Sequence, residues 1–221
     1  MDTLDTDATS TPNPLIELIR SRRSVRRFTA DPVPEAFIRQ ILQAAVSGPD
    51  AGNLRSPALV LCRDSALNRE LGALNHSAPL KEWPDYQIEW EDGTSTSLES
   101  EAKNARDAFY GAPVVATIFG PDGYSFATED ATCMAMDILL ACHALGLGAC
   151  YITRAHETFS TPRGLEIKRS WNIADDYIGK MHIAIGFPDG VPQHVKDPDY
   201  NHLLVLVDQE GAHIVEPEYL R

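Results

Sequence analysis

The chain has 221 residues, 43% hydrophobic and 23% charged, an ordinary globular composition at a length suited to one domain with a sizeable core. Nineteen basic against 32 acidic side chains give a formal net charge of −13, which argues against general nucleic-acid binding and against docking on an anionic membrane. No apolar run approaches the roughly 18 to 20 residues of a spanning helix. Four scattered cysteines, Cys62, Cys133, Cys142 and Cys150, form no Cys-x-x-Cys pair, so core packing in a reducing cytoplasm is expected.

Residues 1–13 are rich in Asp, Thr, Ser and Ala, with neither a basic start nor an apolar stretch, and read as a disordered arm rather than a signal peptide. Residues 14–221 read as a single domain. Asn13-Pro14 sets a cap residue before a proline at the first helical position, and Leu15, Leu18 and Ile19 recur at helical spacing, giving a short amphipathic helix. Asp31-Pro32-Val33-Pro34 opens a second helix with Phe37, Ile38, Ile41, Leu42, Ala45 and Val46 on one side, stopped by Gly48-Pro49. A loop at 50–57 leads to an apolar run, 58–62, that reads as a buried strand, and Asp64 caps a helix bearing Leu67, Leu71 and Leu74.

Residues 81–101 change texture, with Trp83, Tyr86 and Trp90 among acidic residues, and read as an inserted excursion. A helix through Phe109, a buried strand at 113–119 and a long helix at about 127–145, ended by Gly146, are expected next. Strands at 149–153 and 177–187 flank a charged helical stretch at 164–171. A terminal hairpin from 203–207 and 212–215 falls in a C-terminal extension, 202–221. Helices and strands are interspersed without strict βαβ order, so the class is α/β or α+β with one sheet covered by helices.

Charge is not evenly spread. Arg20, Arg22, Arg23, Arg26 and Arg27 place five of the 19 basic residues within eight positions, with only Glu17 nearby. They read either as a solvated helix end, where arginines meet the negative pole of the dipole, or as a nest for an anionic metabolite in a protein whose overall field repels phosphate. Other phosphate motifs are missing: Gly146-Leu147-Gly148 lacks a third glycine and precedes a strand instead of following one. The seven histidines have no i, i+4 pair and no cysteine at ligand spacing, so no metal site is expected. Gly-x-Ser-x-Gly is absent. Glu129-Asp130 and Asp175-Asp176 are adjacent pairs whose side chains diverge, and solvated surface is the default reading.

Four motifs taken together resemble the FMN-dependent nitroreductase superfamily, over about residues 14–196. Arg22-Arg23-Ser24-Val25-Arg26-Arg27-Phe28 is similar to the family's Arg-x-Ser-x-Arg/Lys-x-Phe. Pro49-Asp50-Ala51-Gly52-Asn53-Leu54 is similar to its Pro-Ser-x-x-Asn-x-Gln loop, and Leu145-Gly146-Leu147-Gly148-Ala149-Cys150-Tyr151-Ile152 to its Leu-Gly-Leu-Gly-x-x-Trp/Tyr-Ile run. Ile185-Gly186-Phe187-Pro188 followed by Lys196 is similar to the strand that leads to basic residues at the phosphate.

The resemblance implies a nitroreductase-like mixed sheet flanked by helices, a homodimer with FMN at the subunit interface, and NAD(P)H as electron donor. It places Arg22, Arg23, Ser24 and Lys196 at the phosphate and ribityl region. Arg26 falls at the pyrimidine edge as an electrostatic stabiliser, Asn53 with its neighbours Asp50 and Arg55 on the ring, and the backbone following Tyr151, Ile152 and Thr153 over one face. The implied reaction is a ping-pong hydride transfer through the flavin to a nitroaromatic, quinone or related acceptor, with no protein acid, base or nucleophile strictly required. The alternatives are a specialised reaction of the same superfamily (reductive dehalogenation, flavin fragmentation or dehydrogenation) or a flavin- or partner-binding module without turnover. Trp83, Tyr86 and Trp90 then read as stacking residues over the pocket or as packing for the excursion. The loop departs from the family pattern: Asp50 replaces serine and Arg55 glutamine, and the two read as a surface ion pair or as one that tunes the flavin edge.

Overall fold

Asn13 accepts a hydrogen bond from Leu15 N on its side-chain oxygen and Pro14 follows at the first helical position, which starts helix α1, Pro14–Ser21. The fold is taken from a computed structural model that describes residues 13–77, 87–89, 95–97, 107–190, 203–209 and 211–214. Helix α2, Glu35–Ala45, sinks Ile38, Ile41 and Ala45 into the core, while Leu42 and Val46 stay exposed, so the buried stripe is narrower than the six-residue face expected. Strand β1, Ala58–Cys62, is an edge strand and half-buried, not fully buried as expected. Asp64 Oδ1 accepts from Ala66 N and Leu67 N and so caps helix α3, Ser65–Ser77.

Strands β2, Gln87–Glu89, and β3, Ser95–Ser97, pair antiparallel within the excursion. The expected helix through Phe109 is not formed at that residue. Phe109 lies in a turn whose amides, Phe109 N and Gly111 N, donate to the two carboxylate oxygens of Asp107 at 2.9 and 3.0 Å. Then come β4, Val114–Pro121, helix α4, Ala127–Ala144, and β5, Gly148–Ile152. Two short helices, α5, Ala155–Ser160, and α6, Pro162–Ser170, precede β6, Tyr177–Gly186.

The main sheet has the order β1-β4-β6-β5 with every pair antiparallel. A parallel bridge from Ser24 to Ala149 on the β5 edge gives it its mixed character. Alternation along the central strands divides the interior. Val114, Ala116, Ile118, Met181, Ile183 and Ile185 face α2 and α4, whereas Val115, Phe119 and Ala184 face Phe109, Phe159 and Ile167 on the other side. The buried thiols of Cys142 and Cys150 sit in these layers and Cys62 is buried at the end of β1; burial pushes the Cys142 thiol up to about 12, and all four cysteines are free. Among the described residues no helix is long and apolar enough to cross a membrane.

The chain divides into two compact units, Met1–Val191 and Pro192–Arg221. The second holds a hairpin of β7, Val205–Asp208, and β8, Gly211–Ile214, where the sequence places one.

Candidate functional site

The arginine-rich segment leaves α1 in extended conformation, since Arg22, the C-cap, has φ −60° and ψ 133°. It then lies along the β5 edge. Val25 N donates to Ala149 O at 3.0 Å, and further on Thr29 N donates to Phe187 O and Asp189 N to Arg27 O, tying the segment to the end of β6. The first and third sequence motifs and the 185–188 stretch of the fourth therefore meet at one place in the fold. Arg26 lies beside the Cys150 thiol, whose titration burial raises while the Arg26 and Arg22 charges oppose the rise. His143, near the C-terminal end of α4, bonds Ser21 Oγ through Nε2 at 2.8 Å; burial and then the Arg22 and Arg23 charges hold its imidazole below its usual range.

Arg23 folds back on the end of α1, its Nη1 donating to Arg20 O at 2.5 Å and Arg22 O at 2.9 Å. Ion pairs engage Arg20 with Glu17 and Arg27 with Asp189, whereas Arg22 and Arg26 form none with any described residue. Among the described residues no carboxylate neutralises these two guanidinium groups, although Arg26 meets the Cys150 thiol. Tyr151 is partly exposed and reaches Thr132 of α4, Ile152 points inward, and Thr153 O accepts from buried Asn75 at 2.9 Å.

The second motif forms a single 3₁₀ turn, Ala51–Asn53, within a left-handed stretch: Gly52, Asn53 and Arg55 have φ of 67°, 55° and 53°. Only the first is glycine, so the two others are held in a region that costs of order 1 kcal/mol each unless surrounding contacts fix it. Asp50 Oδ2 accepts from the Arg55 amide at 3.0 Å, and no ion pair joins the two side chains. The expected surface ion pair is therefore corrected to a side-chain to main-chain bond that closes the turn.

Asp130 overturns a second expectation. It is 4% exposed, not solvated, and its oxygens accept from Ala51 N at 2.8 Å and Ser56 Oγ at 2.6 Å. Its place in the first turn of α4 puts the carboxylate at the positive end of the helix dipole. Tyr124 Oη donates to Ala51 O at 3.3 Å, and burial, then the charges of Asp130 and Asp50, raise its phenol above the usual range. Trp83, Tyr86, Trp90 and Lys196 lie outside the described residues.

At about 100° per residue, Asp130 and Thr132 point roughly 200° apart on α4. The Asn53 loop thus occupies one flank of that helix, and the segment of β5 bearing Tyr151 occupies the opposite flank.

The nitroreductase family model matches residues 19–187. A protein of Methanothermobacter thermautotrophicus, provisionally named NADH dehydrogenase/NAD(P)H nitroreductase, is 27% identical over 192 residues, 86% of each chain. A nitroreductase from Bacteroides fragilis, solved with bound FMN, superimposes with a TM-score of 0.73 at 18% identity, covering 88% of this chain and 99% of that one. An FMN-dependent nitroreductase of Clostridium difficile R20291 gives 0.67 at 24% identity, covering 87% and 99%.

Proposed function

The chain belongs to the nitroreductase family, and we propose from that premise that it is an FMN-dependent oxidoreductase, a homodimer passing a hydride from NAD(P)H to a small organic acceptor such as a nitroaromatic or a quinone. The observation that carries the cofactor reading is the pair Arg22 and Arg26, without ion-pair partners among the described residues and held along β5 in a protein of net charge −13. Such groups fit a phosphate and an anionic ring edge.

In this reading Arg22, Arg23 and Ser24 bind the phosphate and ribityl chain. Arg26 stabilises negative charge at the pyrimidine edge. Asn53, with Asp50 and Arg55 beside it, orients the ring, and the backbone after Tyr151, Ile152 and Thr153 shields one face from water. FMN held by these residues would supply the two-electron chemistry linking a nicotinamide donor to the acceptor, the two alternating in one pocket in a ping-pong scheme. Trp83, Tyr86 and Trp90, in the excursion, are the candidates for stacking on the acceptor.

The two flanks of α4 support the dimer reading. In one protomer that helix stands between the Asn53 loop and the Tyr151 segment, and its outward face carries exposed Glu129, Thr132 and Met136. Packing that face on a second copy brings one chain's loop toward the other chain's arginines. Exposed Leu15, Ile16 and Ile19 on α1 offer further apolar surface for the same contact.

Purification tests the cofactor first. The protein is expected to be yellow, and added FMN to raise its melting temperature; a colourless protein indifferent to FMN would overturn the reading. NADH and NADPH oxidation is then measured with nitroaromatic, quinone and halogenated acceptors, and failure with all of them rejects the reductase.

A further inference from the structure

We propose that Asp130 is a positioning residue for the flavin site: a buried carboxylate that braces the Asn53 loop from beneath. Three observations carry this. Its two oxygens bind residues 51 and 56, the two ends of the segment that contains every left-handed residue of the loop, Gly52, Asn53 and Arg55. From just outside that bracket Asp50 closes a second clamp on the Arg55 amide, and Tyr124 Oη holds Ala51 O, so the main chain on both sides of Asn53 is fixed.

Finally, Asp130 is a buried charge that forms no ion pair with any described residue, an arrangement that costs stability unless hydrogen bonds and a helix N-terminus compensate it. A loop needed only for chain connection has no use for such a group. A loop that must present Asn53 in a left-handed conformation before its ligand arrives does, because ordering done in advance is not deducted from affinity. The brace also ties the loop to α4 across 79 positions of sequence, so it sets where the loop lies as well as its shape.

The functional consequence rests on the flavin reading; the bracing itself does not. Asp130→Ala, Asp130→Asn, Ser56→Ala and, as a core control on the same helix, Ile138→Val are compared in the full-length protein. FMN affinity is read by flavin fluorescence, and trypsin cleavage after exposed Arg55 is read by mass spectrometry in FMN-free protein. Asp130→Ala is expected to weaken FMN binding by about tenfold or more and to speed Arg55 cleavage by a similar factor, since cleavage follows the population of the opened loop. Ser56→Ala is expected to fall between it and the wild type. Asn is nearly isosteric and can still accept from Ala51 N, so Asp130→Asn is expected to restore most of both properties. Ile138→Val is expected to lower the melting temperature without moving either.

The proposal is overturned if Asp130→Ala leaves cleavage and affinity at wild-type values, if Asp130→Asn is as impaired as Asp130→Ala, or if Ile138→Val shifts both as far. Should the wild type bind no FMN, the flavin reading fails, and Arg55 cleavage alone still decides whether Asp130 braces the loop.

Discussion

Asp130 and Thr132, two residues apart on α4, serve opposite flanks of the helix: the first binds the Asn53 loop through Ala51 and Ser56, and the second lies beside Tyr151 of β5. In the proposed homodimer a site that draws on both flanks would be completed in trans, and mixed dimers test this. Arg22→Ala and Asn53→Ala homodimers are each expected to lose FMN while keeping the far-ultraviolet circular dichroism of the wild type. A mixed dimer with one chain of each kind regains one intact site if the site is shared between chains, and none if each chain builds its own. The expected outcome is about one FMN per mixed dimer, counted from the flavin absorbance of affinity-separated heterodimers.

Gly148 is where the arginine segment comes closest to the sheet. A Cβ on this residue would stand 2.7 Å from Val25 Cβ, well inside contact distance. Gly148→Ala is expected to push the 22–28 segment off the β5 edge, at about 1 to 3 kcal/mol of overpacking, and to lower FMN affinity. Pairing it with Val25→Gly, which removes the clashing Cβ and both methyls, is expected to recover both in urea unfolding and flavin titration.

The elements that were legible in the sequence are those set by local chemistry. Asn13-Pro14 and Asp64 mark helix starts through bonds to amides two or three residues on, and β5, β6 and the terminal hairpin fall on short apolar runs bounded by turn residues. What escaped depends on distant partners or on unusual backbone. Adjacency of Glu129 and Asp130 says only that the two side chains diverge; that one diverges into a loop 79 residues earlier is a property of the assembled fold. The Asp50 bond to the Arg55 amide needs arginine at positive φ, which its residue type disfavours. Phe109 carries helix-compatible neighbours, yet Asp107 diverts its amide into a turn, and that aspartate two residues upstream was the available signal.

Lys168 is 3% exposed and donates from Nζ to Asp175 O and Tyr177 O at 3.0 and 2.5 Å, so one ammonium fixes the link from α6 to β6. Lys168→Met keeps the aliphatic volume but leaves two carbonyls without donors. A loss of about 2 kcal/mol in urea unfolding is expected, with FMN content unchanged, because the hydrogen bonds of Lys168 go to Asp175 and Tyr177 and not to the arginine segment or the Asn53 loop. Unaltered stability would mean that water satisfies the carbonyls as well as the lysine does.

His182 gives the protein a pH dependence of known sign. It is fully buried between Phe109 and Phe159, with ring centroids 4.9 and 5.8 Å away; Nδ1 bonds Thr117 Oγ1 at 2.8 Å, and Nε2 has no partner among the described residues. Burial lowers its titration from 6.5 to about 3. Above pH 6.5 both folded and unfolded chains hold it neutral, and it adds no slope. As the pH falls from 6.5 toward 3 the unfolded chain takes up a proton that the folded chain refuses, so stability declines by up to about 1.4 kcal/mol per pH unit. His182→Gln removes that term while leaving the other titrating groups in place. Urea midpoints at pH 7, 6 and 5 are therefore expected to fall more steeply for the wild type than for the variant, even though the variant starts from lower stability. Parallel slopes would show that His182 accepts its proton in the native core, which requires an acceptor for the Nε2 hydrogen that neither aromatic ring supplies.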